Sequence, residues 1–352
     1  MAQFKLKAPG QLNMPSAILF ASEIEHAPDA DVYLVDFGSV RLIEPFAMLL
    51  ISSELRKLAR RHCRPEIDCM NFEHMGYAAH MGFFQSFDLE YGKTPGEAKG
   101  NGSYIPITIF ETERVQRDAF ENGVEVGDQI ESTSRRMSAV LCGEDGGALF
   151  DTLTYAIREI IRNVVEHSEA ERFGICAQYW PSRERVEVAI LDRGIGLRRS
   201  LSSNPHIDVS DDKKAINFAL MPAVSGKAFK GALKQRGHWG NSGFGLYMTN
   251  RICRNGGNFF VASGDTAMLL NRGQGKRYFQ CSLDGTAVRM VIDTSELKGL
   301  RESLDRYREE GYEFQKKYAE IVHIDPSSAS LMLSDDFEVS TVDRILRKLK
   351  LS

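Results

Sequence analysis

The chain has 352 residues, and at about 150 residues per domain this length favours two domains. Hydrophobic residues make up 43% and charged residues 26%, a composition that excludes wholesale disorder and collagen-like structure. No stretch reaches the ~18 apolar residues of a membrane helix, and the first residues lack the apolar core of a secretory signal. We therefore expect a cytoplasmic protein without a membrane segment.

The cysteines and the charges narrow the possible class of protein further. The six cysteines are scattered, with no two at the spacing of a zinc knuckle or a redox motif, so we expect reduced thiols. The net charge of -4 weakly repels a nucleic acid backbone. Residues 213–254 nevertheless hold eight Lys or Arg and no acidic residue, where the average composition gives about six acids. This segment suits an anionic ligand.

The first hundred residues alternate predicted strands with predicted helices. In order, these are a strand, a helix, a strand and a short helix, over residues 31–36, 44–61, 65–72 and 74–87. Pro45 suits the first turn of the longer helix, and an apolar stripe runs along that helix. Residues 91–103 are Gly-rich and polar, as is typical of a linker, so we expect a small α/β domain over residues 1–100.

The rest of the chain is expected to form a connector, a larger unit and a helical extension, over residues 101–145, 146–295 and 296–352. The connector contains one predicted strand and one predicted helix. Asp151 is the expected N-cap of a long amphipathic helix that opens the larger unit. Five strands are predicted after this helix, over residues 173–180, 185–192, 258–264, 278–285 and 286–293. Charged or basic helices are predicted over residues 295–322 and 341–350.

Three patches of chemically capable residues follow one another in the larger unit. Glu159 and Asn163 are four positions apart and therefore lie on one face of the amphipathic helix. The segment 192–196, Asp-Arg-Gly-Ile-Gly, ends the alternating strand. The segment 243–246, Gly-Phe-Gly-Leu, runs into another helix.

A nucleotide would use each patch in a different way. Asp192 can accept a hydrogen bond from the adenine amino group, whereas guanine would present a carbonyl oxygen to the same carboxylate. The backbone N–H groups of residues 241–244 precede a helix and can bind phosphates. Asn163 offers an amide oxygen to Mg²⁺, and Glu159 is placed to act as general base.

The order of these motifs resembles the ATP-binding domain of the gyrase, chaperone, histidine kinase and mismatch-repair ATPases, the GHKL superfamily. The motifs are E-x-x-x-N, D-x-G-x-G and G-x-G-L, and the resemblance covers about residues 146–295. It implies an α/β sandwich with a mixed sheet covered by helices, ATP and Mg²⁺ as cofactors, and a mobile lid over residues 197–242. The resemblance and the phosphate-binding backbone of residues 241–244 together give the expected nucleotide-binding residues. These are Asn163, Asp192, Gly194, Gly196, Asn241, Ser242, Gly243, Phe244, Gly245, Leu246 and Thr286. Mg²⁺ is expected on Asn163.

Residues 1–100 bear a fainter resemblance to STAS domains, the fold of anti-sigma factor antagonists. It rests on DVYLVDFGSVRLIEPFAMLLISSELRKLARR, residues 31–61, followed by a strand and a short helix. In that family a phosphorylatable Ser commonly follows an Asp in the turn before the first helix. Here the turn reads Leu42-Ile43-Glu44-Pro45, so we expect no phosphorylation, and Glu44 could imitate the charge of the phosphate. The resemblance implies protein partners that dock on this domain, or regulation within the chain.

Two functions are left open by the sequence. In the first, the protein is an enzyme that slowly hydrolyses ATP or, like the anti-sigma kinases, phosphorylates a Ser or Thr of another protein. In the second, ATP closes the lid of a non-hydrolysing interaction module. A histidine autokinase is disfavoured, because none of the eight histidines is followed by an acidic residue. A homodimer is a family-level expectation, and nucleic-acid processing is not expected.

Some side chains near the motifs also have plainer interpretations. Glu159 could pair with Arg162 or Asn163 on a solvated helix face. We expect Arg193 to point to solvent from its Gly-rich turn. His167 is expected to be a packing or capping residue.

Overall fold

The computed structural model describes residues 2–61, 65–99, 102–227, 243–297, 306–307, 309–314 and 316. The strands are β1 (Gln3–Lys7), β2 (Gln11–Leu12), β3 (Val32–Asp36), β4 (Leu42–Ile43), β5 (Glu66–Met70), β6 (Tyr104–Glu111), β7 (Arg172–Trp180), β8 (Arg185–Asp192), β9 (Asn258–Asn271) and β10 (Arg277–Asp293). The α-helices are α1 (Met14–Glu25), α2 (Pro45–Ala59), α3 (Gly76–His80), α4 (Thr112–Glu121), α5 (Val126–Cys142), α6 (Ala148–His167), α7 (Gly196–Leu201), α8 (Asp212–Ala219) and α9 (Gly245–Arg254).

The N-terminal elements form the predicted α/β arrangement. β1, β3 and β5 pair in parallel, in the order β1-β3-β5, and α1 packs against α2. The elements β3, α2, β5 and α3 are predicted from the sequence, whereas β1 and α1 are not. The buried residues of α1 lie on one side of the helix, but apolar Leu19 lies on the opposite side, 67% exposed, so the apolar stripe is not distinct in the sequence.

A five-stranded sheet, in the order β6-β7-β8-β10-β9, lies at the centre of the molecule. The α/β sandwich is confirmed, but the mixed sheet is wrong, because all neighbouring strands of this sheet pair antiparallel. Short turns join β7 to β8 and β9 to β10, and such turns require these two pairs to be antiparallel. β10 is one long strand with an irregular register between Gln280 and Thr286, where the sequence predicts two strands.

Both faces of the five-stranded sheet are buried. Along β8, Val188 and Ile190 belong to a core that includes residues of α5, α6 and α9. Ala189 and Leu191 point the opposite way and share a core with α1 and α2. The N-terminal helices therefore cover one face of the sheet, and α5, α6 and α9 cover the other. The boundaries placed at residues 100, 145 and 295 remain predictions.

A buried ionic cluster holds the start of α2 against the sheet. Glu44 accepts hydrogen bonds from Arg185 at 3.1 Å and from Arg289 at 3.3 Å, and both arginines also contact Glu187. The Phe46 backbone N–H donates to Glu187 at 3.1 Å. Buried charges require such partners, because each unpaired ion would lose its hydration without compensation. The Glu44 carboxylate, which could imitate a phosphate, thus points into the molecule.

Two helix boundaries differ from the prediction. α6 begins at Ala148 after an N-cap at Gly147, so Asp151 lies in the first turn and is not the N-cap. There it still faces the positive end of the helix dipole. Of the predicted helix over 295–322, residues 306–307 and 309–314 are helical, whereas 294–297 form a 3-10 turn. The predicted helix over 341–350 lies outside the described residues.

Candidate functional site

A solvent-open cleft of about 810 Å³ lies between α6, the end of β8, the middle of β10 and the start of α9. Most of the expected nucleotide-binding residues line it together, namely Asn163, Asp192, Gly196, Gly243, Gly245, Leu246 and Thr286. Gly194, Phe244 and Glu159 lie close by without lining it. Asn241 and Ser242 lie outside the described residues.

Asp192 ends β8 and is the buried carboxylate of the cleft. Asp192 is 3% exposed, and its Oδ1 accepts a hydrogen bond from the Gly194 backbone N–H at 2.8 Å. Burial raises the pKa of Asp192 to about 6, although the backbone N–H groups of Gly194 and Thr286 oppose this shift. Thr286 is its register partner on β10. At neutral pH the cleft therefore presents an ionised acceptor beside a Thr.

The turn after Asp192 is packed tightly against the end of α6. A side chain at Gly194 would overlap the Ser168 carbonyl oxygen, to which the Ile195 N–H donates at 2.7 Å. Gly194 thus permits the close approach of two backbones rather than the entry of a ligand. On the other side, Ser263 accepts from Leu197 N–H at 2.9 Å and donates to Gly285 O at 2.8 Å. Ser263 is not among the predicted residues, because no motif spacing points to it.

Asn163 and His167 face the cleft from successive turns of α6. The Nδ2 atom of Asn163 is buried and has no hydrogen-bond partner among the described residues. Because the N and O atoms of an amide are told apart by their partners, either can serve a ligand. Burial lowers the pKa of His167 to about 4, helped by the charges of Lys227 and Arg162, so its ring is neutral at pH 7. The four-residue spacing from Asn163 is the signal that could have assigned His167 to this site.

Glu159 lies one turn before Asn163 but forms an ion pair at the edge of the cleft. Its Oε1 accepts from Arg158 at 2.7 Å, and Arg158 also contacts Glu131 at 3.0 Å. The pairing with Arg162 or Asn163 is thus wrong, since Arg162 bonds Glu166 at 2.6 Å. A side chain at Gly245 would overlap Glu159 Oε2. This oxygen therefore faces the beginning of α9.

The Gly-Phe-Gly-Leu segment brings the N-terminus of α9 to the cleft. The first turn of a helix has N–H groups without intrahelical partners, which favours an anion at this point. Phe244 itself is 8% exposed, and its ring packs against Tyr312 with centroids 5.0 Å apart. Its side chain thus contacts the C-terminal residues, and only its backbone can serve a ligand in the cleft.

The predicted lid is described up to residue 227. It contains α7 and α8, and Ser200, Ser225 and Gly226 from this segment also line the cleft. The Lys227 ammonium donates to the carbonyl oxygen of Glu166 at the end of α6. The basic segment of residues 213–254 thus reaches the edge of the cleft, although Lys230, another lysine of this segment, lies outside the described residues.

Arg193 does not point to solvent. Its Nε donates to Ser53 Oγ at 3.0 Å, and its Nη2 donates to Glu54 Oε1 at 2.8 Å. Glu54 is 1% exposed, and burial raises the pKa of its carboxyl while the Arg193 charge lowers it. The expectation failed because the partner helix, α2, is distant in sequence.

Neither a cluster of metal-ligating side chains nor a membrane-spanning helix occurs among the described residues. The described part of the chain contains no group of three or more His, Cys, Asp or Glu side chains that could hold a metal ion. Among the same residues, no helix has the length and apolar character needed to cross a bilayer.

The geometry of this cleft agrees with the comparison to protein families. Residues 149–293 match the family described as histidine kinase-, DNA gyrase B-, and HSP90-like ATPase. These residues therefore form a GHKL-type ATPase domain, which confirms the resemblance seen in the sequence. The family implies ATP binding in this domain. The match does not extend to the STAS-like region, and comparisons with curated proteins and with solved structures found no match.

Proposed function

We propose that the protein is a Mg²⁺-ATP-binding regulatory protein with slow ATPase or protein Ser/Thr kinase activity. The observation that carries this proposal is the convergence of Asn163, Asp192 and the start of α9 on one cleft. This cleft lies within the residues that match the ATPase family. We infer in addition a cytoplasmic location and a protein partner that contacts the STAS-like region.

Asp192 accounts for recognition of the base. Its carboxylate would accept a hydrogen bond from the exocyclic amino group of adenine, and Thr286 lies beside it. Guanine would place a carbonyl oxygen against this buried carboxylate, and two acceptors facing one another cost up to several kcal/mol. ATP is thus preferred over GTP.

The opposite end of the cleft suits the phosphates. The N-terminal N–H groups of α9 favour anions at this end. Asn163 fits a magnesium site when its amide is turned so that the oxygen takes the buried position of Nδ2, which has no partner among the described residues. Bound there, Mg²⁺ would neutralise phosphate charge.

Glu159 is the proposed general base. It would accept a proton from a water or a protein hydroxyl while that oxygen bonds to the terminal phosphorus and the bond to the ADP oxygen breaks. Its Oε2 faces the start of α9, the end of the cleft assigned to phosphates. Arg158 holds the other oxygen of the same carboxylate.

The same ion pair favours the alternative function. Glu159 does not line the cleft, and its carboxylate is paired with Arg158. A base held in this way would give little turnover. The protein would then be a non-hydrolysing module in which ATP changes the surface offered to a partner.

Phosphate release and ATP affinity together distinguish the two functions. We would compare the wild type with Glu159→Gln and with Glu166→Gln, a control on the same helix that also removes a carboxylate paired with an arginine. For the enzyme, Glu159→Gln keeps ATP affinity and lowers phosphate release about 100-fold or more, while Glu166→Gln has little effect. A wild type that binds ATP but releases no phosphate, with or without a protein acceptor, indicates the module. A wild type that binds no ATP refutes both.

A further inference from the structure

α2 contacts the strand end that carries Asp192. Ser53 and Glu54 of this helix hold the Arg193 guanidinium at 3.0 Å and 2.8 Å. Arg193 directly follows Asp192 in the chain. It directly precedes Gly194, whose N–H holds the Asp192 carboxylate. A displacement of Arg193 would therefore move both the acceptor and the group that orients it.

The same helix face also contacts the strand that carries Thr286. Lys57 forms an ion pair with Asp284 at 2.6 Å, two residues before Thr286. Glu54 and Lys57 are three positions apart, so they project from the same side of α2. This side of the helix thus holds both strands that present residues to the base end of the cleft.

The end of β8 and the middle of β10 are in direct contact with one another. A side chain at Gly285 would overlap the Asp192 carbonyl oxygen, so no side chain separates these backbones. Asp192 and Thr286 are paired in register across this contact. A shift of either strand at this contact therefore changes the distance and direction between the two residues.

The anchoring side chains are well placed to resist such a shift. Glu54 is 1% exposed, and α2 is buried along most of its length. The Arg193 side chain is 26% exposed, so its pair with Glu54 competes with water less than a fully exposed ion pair does. The Lys57–Asp284 pair is more exposed and contributes less.

We propose that Ser53, Glu54 and Lys57 are positioning residues through which the N-terminal region sets the adenine selectivity of the cleft. This inference rests on the proposed ATP-binding function. A protein that binds the N-terminal region and moves α2 would change ATP affinity. By thermodynamic reciprocity, ATP would change the affinity of that protein to the same extent.

The test is the binding of ATP and of GTP, each with Mg²⁺, measured by calorimetry on the full chain. Glu54→Gln should weaken ATP binding about tenfold and leave GTP binding nearly unchanged, so that the ratio of the two affinities falls. The matched control is Glu44→Gln, which breaks an ion pair at the other end of the same helix, against the same sheet. It should change both nucleotide affinities less than about twofold.

A double variant shows whether Glu54 acts through Arg193. If it does, Glu54→Gln combined with Arg193→Gln should discriminate ATP from GTP no worse than Arg193→Gln alone. Unchanged selectivity in Glu54→Gln overturns the proposal, as does an equal loss in Glu54→Gln and Glu44→Gln. Should Glu54→Gln not fold, Ser53→Ala removes only one hydrogen bond to Arg193 and should shift the selectivity in the same direction. Unchanged selectivity there overturns the proposal as well.

The outcomes also separate this inference from the proposed function. A wild type that binds no ATP refutes the proposed function and the inference with it. A wild type that prefers ATP, with the preference intact in Glu54→Gln, refutes the inference alone.

Discussion

The stability of Asp192→Asn, measured relative to that of the wild type, should increase as pH rises from acidic to neutral values. Burial raises the pKa of this carboxyl to about 6 from the usual 3.8 of an aspartate. Each tenfold change in a proton dissociation constant corresponds to about 1.4 kcal/mol, so keeping the ionised carboxylate in the cleft costs about 3 kcal/mol well above pH 6.

The sign follows from proton binding. The folded protein binds this proton more tightly than the unfolded chain, so the stability contribution is fully present below about pH 4 and is lost as pH rises through 6. The amide in the Asp192→Asn variant does not titrate. The stability of Asp192→Asn minus that of the wild type should therefore increase by about 1.4 kcal/mol between about pH 5 and pH 7.5. Any constant effect of exchanging the two side chains cancels in this difference.

Equilibrium unfolding in urea at the two pH values measures this difference. Asp36→Asn is the control, because hydrogen bonds from Asn71 and Gly38 lower the pKa of Asp36 to about 2. Its stabilising contribution is lost only as pH falls below 3.8 and through about 2, so its difference from the wild type should be the same at both pH values. If the stability difference between Asp192→Asn and the wild type is also the same at both pH values, burial does not raise the pKa of Asp192, and the reasoning is refuted.

Three further predictions concern the cleft and the residues packed behind it. ATP affinity should fall below about pH 6, by up to about tenfold per pH unit, as Asp192 is protonated; calorimetry should show this loss in the wild type and not in Asp192→Asn. Gly245→Ala should displace the Glu159 carboxylate and lower ATP turnover more than ATP affinity, whereas Gly146→Ala, where a side chain meets nothing, should behave as wild type in the same assays. Tyr307→Ala should lower the free energy of unfolding in urea by about 3 kcal/mol, because the ring is 6% exposed and packs with the start of α9; a loss below about 1 kcal/mol would contradict this packing.

The parts of the site that were predictable depend on short sequence spacings. Glu159 and Asn163 share a helix face because they are four residues apart, and Asp192 ends a strand whose alternation is clear in the sequence. Helix periodicity and strand alternation are local properties of the sequence, so both can be recognised without knowledge of the fold. The same rule applied to His167 would have added another residue of the cleft.

The parts that were not predictable depend on contacts between distant segments. The alternation of β8 is typical of a half-buried strand with Glu187 on a solvent face, yet α1 and α2 cover that face and Glu187 is fully buried with Arg289. Arg193 likewise finds its partner in α2, about 140 residues away in sequence. Sequence patterns give the period of an element, but they do not show which other element packs on it.

The most direct test of the central claim is a pair of calorimetric titrations, ATP and GTP with Mg²⁺, on the wild type and on Asp192→Ala. If a buried carboxylate at the end of β8 reads the base, the wild type binds ATP at least about tenfold more tightly than GTP, and the variant loses this preference. Equal binding of ATP by the two proteins, or a preference for ATP that persists in Asp192→Ala, would contradict the account.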